Sequence, residues 1–314
     1  MPPPYRSHCT INYNLKVTIM KEEKRIFALG FFEGVQLGHQ ALLAQCVRLA
    51  RERNCQTAAI TFDKHPLSLF SGRVPPLIST AEDRKLLLRR YGIGAIYQFP
   101  VVPEVMSMPW RDFLEELMGF GAAGFVCGDD FSFGHRGEGS GEKLREFCLE
   151  RDLPCVIVPE QTVDGIRISS SHIRTLIENG EMESAAKFLG HPHMLTGQVV
   201  HGRRLGRTLG IPTANLRLPE GLAVPRFGVY ACLAEVDGKK YPAVTNIGTR
   251  PTVNGEGVTV EPWILDFEGD LYGRELRLEF CKFLRPEQKF PDLNALQAEI
   301  RKNANQTRAF FGEM

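Results

Sequence analysis

Between Val200 and Leu216 the chain reads VHGRRLGRTLGIPTANL, and its residue types suit a phosphorylated ligand. Gly202, Gly206 and Gly210 are interspersed with Arg203, Arg204 and Arg207, and the run closes on Pro212-Thr213-Ala214-Asn215. Glycine lets a backbone turn tightly and approach a ligand. Exposed backbone N–H groups with guanidinium groups beside them cradle phosphate. Thr213 and Asn215 are two residues apart, so on a strand both side chains share a face. Two neutral oxygens on one face suit a hydrated Mg²⁺ that ATP phosphates also hold. Composition alone is equally met by a basic hairpin with a Gly-rich turn and a Thr/Asn pair in an ordinary loop. No Gly-Lys-Ser/Thr follows the glycines, which excludes a Walker A loop.

A second group of candidates lies nearer the N-terminus. Gly38 and His39 follow a short apolar run, Arg25–Gly30, and open a segment of helical spacing. A helix N-terminus attracts phosphate, although from this turn alone an N-capping turn with an incidental histidine is the preferred reading. Ser169, Ser170 and Ser171 precede Arg174 by one helical turn. That combination suits a phosphate tail, but from the residues alone an ordinary Ser N-cap is the preferred reading. Glu261 lies in an alternating segment, where its residue type and spacing read as an exposed salt-bridging glutamate. His191 and His193 are close enough to suggest a metal, but no third ligand of suitable spacing is near, so the pair reads as part of a linker.

The wording of these stretches goes further than their composition. Residues 200–216 closely resemble the ATP-binding segment of the flavokinase (riboflavin kinase) family, including its Pro-Thr-Ala-Asn motif. The resemblance continues through Pro225-x-x-Gly228-Val229-Tyr230, Asn246-Ile247-Gly248-Thr249-Arg250-Pro251-Thr252, Glu261 and Asp270-Leu271-Tyr272-Gly273. Upstream, Thr61-Phe62-Asp63-Lys64-His65-Pro66 resembles a Thr-Phe-x-Pro-His-Pro loop, with Lys64 replacing a proline. Gly128 to Gly134 resembles Gly-x-Asp-Phe-x-Phe-Gly, and Ile168 to Arg174 resembles Ile-Ser-Ser-Thr-x-Ile-Arg. Phe32-Glu33-Gly34 and Gln36-x-Gly38-His39 stand where adenylyltransferases of this kind carry Phe-Asp-Gly and His-x-Gly-His. From about Ile26 onward the chain is identified as a member of the bacterial bifunctional riboflavin kinase/FMN adenylyltransferase (FAD synthetase) family.

The resemblance implies two reactions: ATP-dependent phosphorylation of riboflavin to FMN, then adenylylation of FMN to FAD with release of pyrophosphate. It implies Glu261 as the base that activates the riboflavin hydroxyl. It implies Gly202, Arg203, Gly206, Arg207, Gly210, Thr213 and Asn215 as the kinase's ATP site, with Thr213 and Asn215 toward Mg²⁺. For adenylylation it implies Gly30, Phe32, Gln36, Gly38, His39, Ser169, Ser170, Ser171 and Arg174 around ATP, with His39 and Arg174 catalytic. His65, Asp130, Phe131 and Phe133 are implied in flavin binding, since aromatic faces stack on an isoalloxazine ring; core packing is the alternative for one of the two phenylalanines. Glu33 and Gln36 depart from the family pattern. They keep a second reading open, an active kinase with a weakened or inactive adenylyltransferase half. The implied partners are small molecules, namely riboflavin, FMN and ATP, with no nucleic acid and no membrane; oligomeric state is not implied.

These residues need a scaffold. A chain of 314 residues, 43% hydrophobic and 24% charged, is an ordinary globular one and long enough for two domains. A net charge of +1 argues against a general nucleic-acid or membrane binder. Eight cysteines without a Cys-x-x-Cys pair suit a reducing cytoplasm. Strand-like runs at 25–30, 57–61, 95–99, 124–127 and 155–158 alternate with helical patterns at 39–53, 81–91, 110–118 and 142–151, as a doubly wound parallel sheet requires. Short alternating segments at 196–200, 229–236, 240–247, 258–265 and 275–283 then point to a small closed antiparallel β-barrel. A helix over 293–310 should pack on it through Leu296 and Ile300. The expected class is α/β plus β: an N-terminal nucleotidyltransferase domain over 20–188, a linker over 189–195, and a kinase barrel domain with a C-terminal helix over 196–314. Met20 reads as a possible natural start, with residues 1–19 an upstream extension; the alternative is an extra edge strand at Asn14–Ile19.

Overall fold

The structure, a computed structural model, describes residues 23–70, 74–201, 211–252 and 255–312. It divides into two compact units, and their boundaries interleave along the chain.

Of the described residues, the first unit takes in 23–31, 44–70 and 92–158. Its sheet has five parallel strands: β1 (Arg25–Leu29), β2 (Gln56–Phe62), β3 (Ala95–Phe99), β4 (Ala122–Gly128) and β5 (Cys155–Val158). Their order is β3-β2-β1-β4-β5. All five residues of β1 are buried, as expected of a central strand covered on both faces. Phe27, Leu29, Tyr97, Phe99, Phe125 and Phe147 dominate the core. The strand order reverses between β1 and β4, the position at which such sheets bind ligands beyond their carboxyl ends. Gly30 and Gly128 leave the sheet there from adjacent strands. Helix α1 (Leu37–Glu52) follows β1; α3 (Pro103–Met106), α4 (Trp110–Gly119) and α5 (Gly141–Leu149) lie within this unit.

Of the described residues, the second unit takes in 32–43, 74–91, 159–201, 211–252 and 255–312. It holds α2 (Ala81–Arg90), a two-stranded hairpin of β6 (Thr162–Val163) and β7 (Ile166–Arg167), α6 (Ser170–Asn179) and α7 (Met182–Leu189). The barrel follows, built from β8 (His193–Val200), β9 (Asn215–Arg217), β10 (Gly228–Val236), β11 (Lys239–Thr252), β12 (Gly255–Ile264) and β13 (Glu275–Arg285). It closes in the order β10-β11-β12-β9-β8-β13, which leaves no free sheet edge. Leu195, Val199, Leu216, Tyr230, Val260 and Phe280 fill its interior in one core with Ile173, Ile177 and Phe188 of the preceding helices. The C-terminal helix α8 (Leu293–Gly312) packs through Ala304 beside Val229, Val244 and Leu265.

The expected fold class is the observed one, a parallel sheet followed by a closed antiparallel barrel with a C-terminal helix. Two details differ. His193, Met194 and Leu195, expected in a linker, already belong to β8 and are buried. The short strand β9 has too little periodicity to announce itself, because its place depends on barrel closure. The expectations for residues 1–19 and for Gly202, Arg203, Gly206, Arg207 and Gly210 lie outside the described residues.

Candidate functional sites

Two cavities open on opposite faces of β12. Alternation along that strand sends Thr259, Glu261 and Trp263 to one side and Pro262 and Ile264 to the other. The first cavity, about 470 Å³, is lined by Thr213, Asn246, Glu261, Trp263 and Arg285, with Leu296 and Ile300 of α8 closing it. Glu261 stands directly across from Asn246 of β11. Arg285 donates from Nε to Asn303 Oδ1 at 3.0 Å, so its guanidinium is fixed at the cavity wall. Burial lowers the Arg285 pKa from its ordinary value, with the carboxylates of Glu299 and Glu287 opposing that shift. The second cavity, about 390 Å³, is lined by Thr213, Pro262, Phe267, Asp270, Leu271 and Tyr272. The Tyr272 ring lies 4.0 Å from that of His201. Thr213 borders both cavities. Asn215 starts β9, pairs in register with Val200 and lines neither cavity. Trp263, Tyr272 and Arg285 were not among the sequence candidates. Trp263 was within reach of the period-two signal that marks Glu261; the other two stand at a loop and a strand end, where no periodicity points.

The candidates around His39 lie in the second unit. Between β1 and α1 the chain makes a turn in which Phe32, Gly34 and Val35 have φ of 57°, 63° and 41°. Left-handed backbone at a phenylalanine and a valine is costly and recurs at functional sites. Gly38 and His39 sit in the first turn of α1, where free N–H groups and the helix dipole favour anions. Gln36 is 8% exposed, and its Oε1 has no hydrogen-bond partner. The His39 ring packs edge-on against Phe32 at 5.4 Å, and its shielded Nδ1 also lacks a partner. Burial, helped by the charge of Arg84, pushes the His39 pKa down to about 4. The imidazole is therefore neutral near pH 7.

Helix α6 brings the serines. Ser169 is its N-cap, its Oγ accepting from His172 N–H at 3.2 Å; Ser170 and Ser171 form the first turn. Arg174 is held in place. Its Nη2 lies 3.3 Å from Glu33 Oε2, and its Nε donates to the Pro76 carbonyl at 2.6 Å. Glu33 also accepts from Ile78 N–H at 2.9 Å. The Glu33–Arg174 pair thus joins the turn before α1 to the first turns of α6, so two helix N-termini are held together by one ion pair. Phe32, Gln36, Gly38, His39, Ser169, Ser170, Ser171 and Arg174 all belong to this unit; Gly30, just after β1, belongs to the other.

The flavin candidates lie in the first unit. A cavity of about 360 Å³ is lined by Phe62, Phe70, Phe113, Phe131, Phe133 and Arg136. Phe131 and Phe133 stack on each other at 5.7 Å and 18°, and both face the cavity. Phe133 is also part of the core. His65 caps the short turn 66–69, its Nδ1 accepting from Leu67 N–H at 3.1 Å, and packs edge-on to Phe31. Neither His65 nor Asp130 lines the cavity.

His191 and His193 form no metal centre, and no group of three His, Cys, Asp or Glu among the described residues could hold an ion. His191 instead bonds through Nε2 to the Gly34 carbonyl at 2.9 Å.

A riboflavin kinase family model matches residues 189–311, and an FAD synthetase model matches residues 18–172. The chain is 35% identical over 294 residues to the bifunctional riboflavin kinase/FMN adenylyltransferase of Listeria monocytogenes, covering 92% of this chain and 93% of that one. It is 34% identical to its Bacillus subtilis counterpart, covering 94% and 96%, and 34% identical to that of Escherichia coli K12, covering 93% and 94%. A solved structure described as a macrolide-efflux protein from Streptococcus pneumoniae superposes with a TM-score of 0.83 at 29% identity, covering 93% and 96%. Among the described residues no helix is long and apolar enough to cross a membrane.

Proposed function

The chain belongs to the bifunctional riboflavin kinase/FMN adenylyltransferase family, and from that premise we propose how its residues divide the two reactions. The enzyme phosphorylates riboflavin with ATP to give FMN and then transfers an adenylyl group from ATP to FMN, releasing pyrophosphate. Residues 196–314 carry the first reaction and residues 20–188 the second. The location is the cytoplasm, in keeping with the seven described cysteines being free thiols.

In the kinase reaction riboflavin occupies the cavity that holds Glu261, with its ring system against Trp263 and α8. ATP occupies the cavity beside Tyr272. The 5′-hydroxyl attacks the γ-phosphorus, Glu261 takes its proton, and ADP leaves. Thr213 carries this reading, because it is the residue common to both cavities and therefore stands where the two substrates meet. Thr213, at the border of the nucleotide cavity, offers a neutral oxygen that would hold Mg²⁺ only together with ATP phosphates, whereas Asn215 lines neither cavity. Bound there, Mg²⁺ would neutralise phosphate charge. Otherwise the chain's own task is to orient the hydroxyl, accept its proton and keep water out.

In the second reaction the FMN phosphate attacks the α-phosphorus of ATP. A phosphate needs no general base, so the site's task is to stabilise charge on the α-phosphate and on pyrophosphate. The N-termini of α1 and α6 supply it, with Ser170, Ser171 and the Gln36 amide as donors. His39, neutral at pH 7, acts as a hydrogen-bond donor and not as a cation. Arg174 keeps the two helix ends together through Glu33. For the first unit taken by itself, we propose that the aromatic cavity of Phe131 and Phe133 binds a flavin ring. The test is incubation of the pure chain with FMN, ATP and Mg²⁺: FAD and pyrophosphate should form in equal amounts, and no FAD would refute the reading.

A further inference from the structure

The turn from Phe32 to Val35 holds left-handed backbone at two residues with side chains. Such a conformation persists only where its surroundings impose it. What presses on it is the segment from Pro76 to Asp83. Ser79 Oγ accepts from Gly34 N–H at 3.1 Å, Ile78 N–H donates to Glu33, and the Pro76 carbonyl accepts from Arg174. The approach at Gly34 is so close that a Cβ there would lie 2.8 Å from Ile78 Cγ2.

The same segment is fastened on its other side to the barrel. Leu77 exchanges backbone hydrogen bonds with Gly221 and Ala223 at 2.7 and 2.8 Å. Asp83, with its side chain only 1% exposed, accepts from Thr80 Oγ1 at 2.8 Å, from Thr196 Oγ1 at 2.6 Å and from Arg277 Nε at 3.2 Å. Thr196 belongs to β8 and Arg277 to β13, and they stand opposite each other in register. A buried carboxylate with three donors is a rigid anchor, because removing a donor leaves part of its charge without compensation.

We infer that Thr196, Arg277 and Asp83 are positioning residues for FMN adenylylation. The kinase barrel, through this strap, sets the shape of the turn that carries the other reaction. Thr196 lines neither barrel cavity, so it touches no kinase substrate, yet it lies within the segment matched by the riboflavin kinase model. The inference rests on the assignment of adenylyl transfer to the Phe32–His39 turn.

The experiment uses the full chain and compares Thr196→Val, which keeps the volume and loses the hydroxyl, with Thr196→Ser, which keeps the hydroxyl. Ser79→Ala cuts the strap at its other face. FAD formation from FMN and FMN formation from riboflavin are measured on the same samples. Thr196→Val and Ser79→Ala should each lower kcat for FAD formation on the order of tenfold while kinase rates stay within about twofold, a span usual for coupling through packed networks. Thr196→Ser should restore FAD formation, and the unchanged kinase rate certifies the fold. Wild-type rates of FAD formation in both cut variants, or parallel loss of both activities, would overturn the inference. A wild-type chain that makes FMN but no FAD would instead refute the function on which it rests, and the inference with it.

Discussion

Glu33 and Arg174 face each other across 3.3 Å with side chains only 4% and 11% exposed. Aspartate, usual at the position of Glu33, is shorter by one methylene. The longer side chain takes both the Arg174 guanidinium and the Ile78 N–H, so the departure from the family pattern is built into the local structure.

This pair gives the first prediction. Glu33→Gln keeps an acceptor for Ile78 but leaves the Arg174 charge buried without its counter-ion. Breaking a buried pair from one side costs about 3 kcal/mol. Chemical denaturation should show a loss near that size. A loss indistinguishable from zero would mean that the pair contributes nothing to holding the turn.

Glu261→Gln should lower FMN formation by about 10²- to 10⁴-fold, the range for a general base. ATP binding should be kept, because the nucleotide cavity lies on the other face of β12. Calorimetric titration with ATP alongside the kinase assay checks both halves. A mutant that keeps most of its kinase rate would remove Glu261 from the mechanism.

Position 36 gives the third prediction. The buried Gln36 amide can donate but carries no charge, and with His39 neutral neither side chain of the motif is cationic at pH 7. Losing one charged donor at a phosphoryl centre costs on the order of 10²- to 10³-fold, of which glutamine recovers part. Gln36→His should raise the adenylylation rate by at least about tenfold, within that same range, and leave kinase activity unchanged. Unchanged FAD rates in that variant would show glutamine to be a full substitute.

His193 gives a pH prediction. Both its ring nitrogens are shielded without partners, and burial, then the neighbouring His191, pushes its pKa down to about 3. The folded value lies below the unfolded one, so the unfolded state binds the proton first as pH falls. Stability is full above about pH 6.5 and declines between there and pH 3, by about 2 kcal/mol from this residue between pH 7 and pH 5. His39, lowered to about 4, adds in the same direction. Denaturation midpoints of His193→Leu should fall less steeply over that range than those of the wild type; parallel curves would contradict the assignment.

Much of this was legible in the sequence, and for a physical reason. Alternation along β12 marks Glu261 and also reaches Trp263, because strand periodicity is local. The buried strand β1 and the capping serine before α6 are likewise local signals. Register is not. That Asn246 faces Glu261 depends on how β11 and β12 pair, and that Thr213 borders two cavities depends on barrel closure. The Thr196–Asp83 bond spans 113 residues of chain, and no pattern within either segment announces it. His193 misled in the opposite way: two histidines beside a proline read as a linker, whereas the second is the first residue of a barrel strand.

The most direct measurement of the central claim is a single time course, with riboflavin, ATP and Mg²⁺ added to the pure chain and products separated by chromatography. The expected record shows FMN rising first and FAD following more slowly, with pyrophosphate appearing in step with FAD. FMN that never gives way to FAD, or FAD keeping pace with FMN from the first minutes, would contradict the account, the former by removing the second activity and the latter by removing the handicap assigned to Gln36.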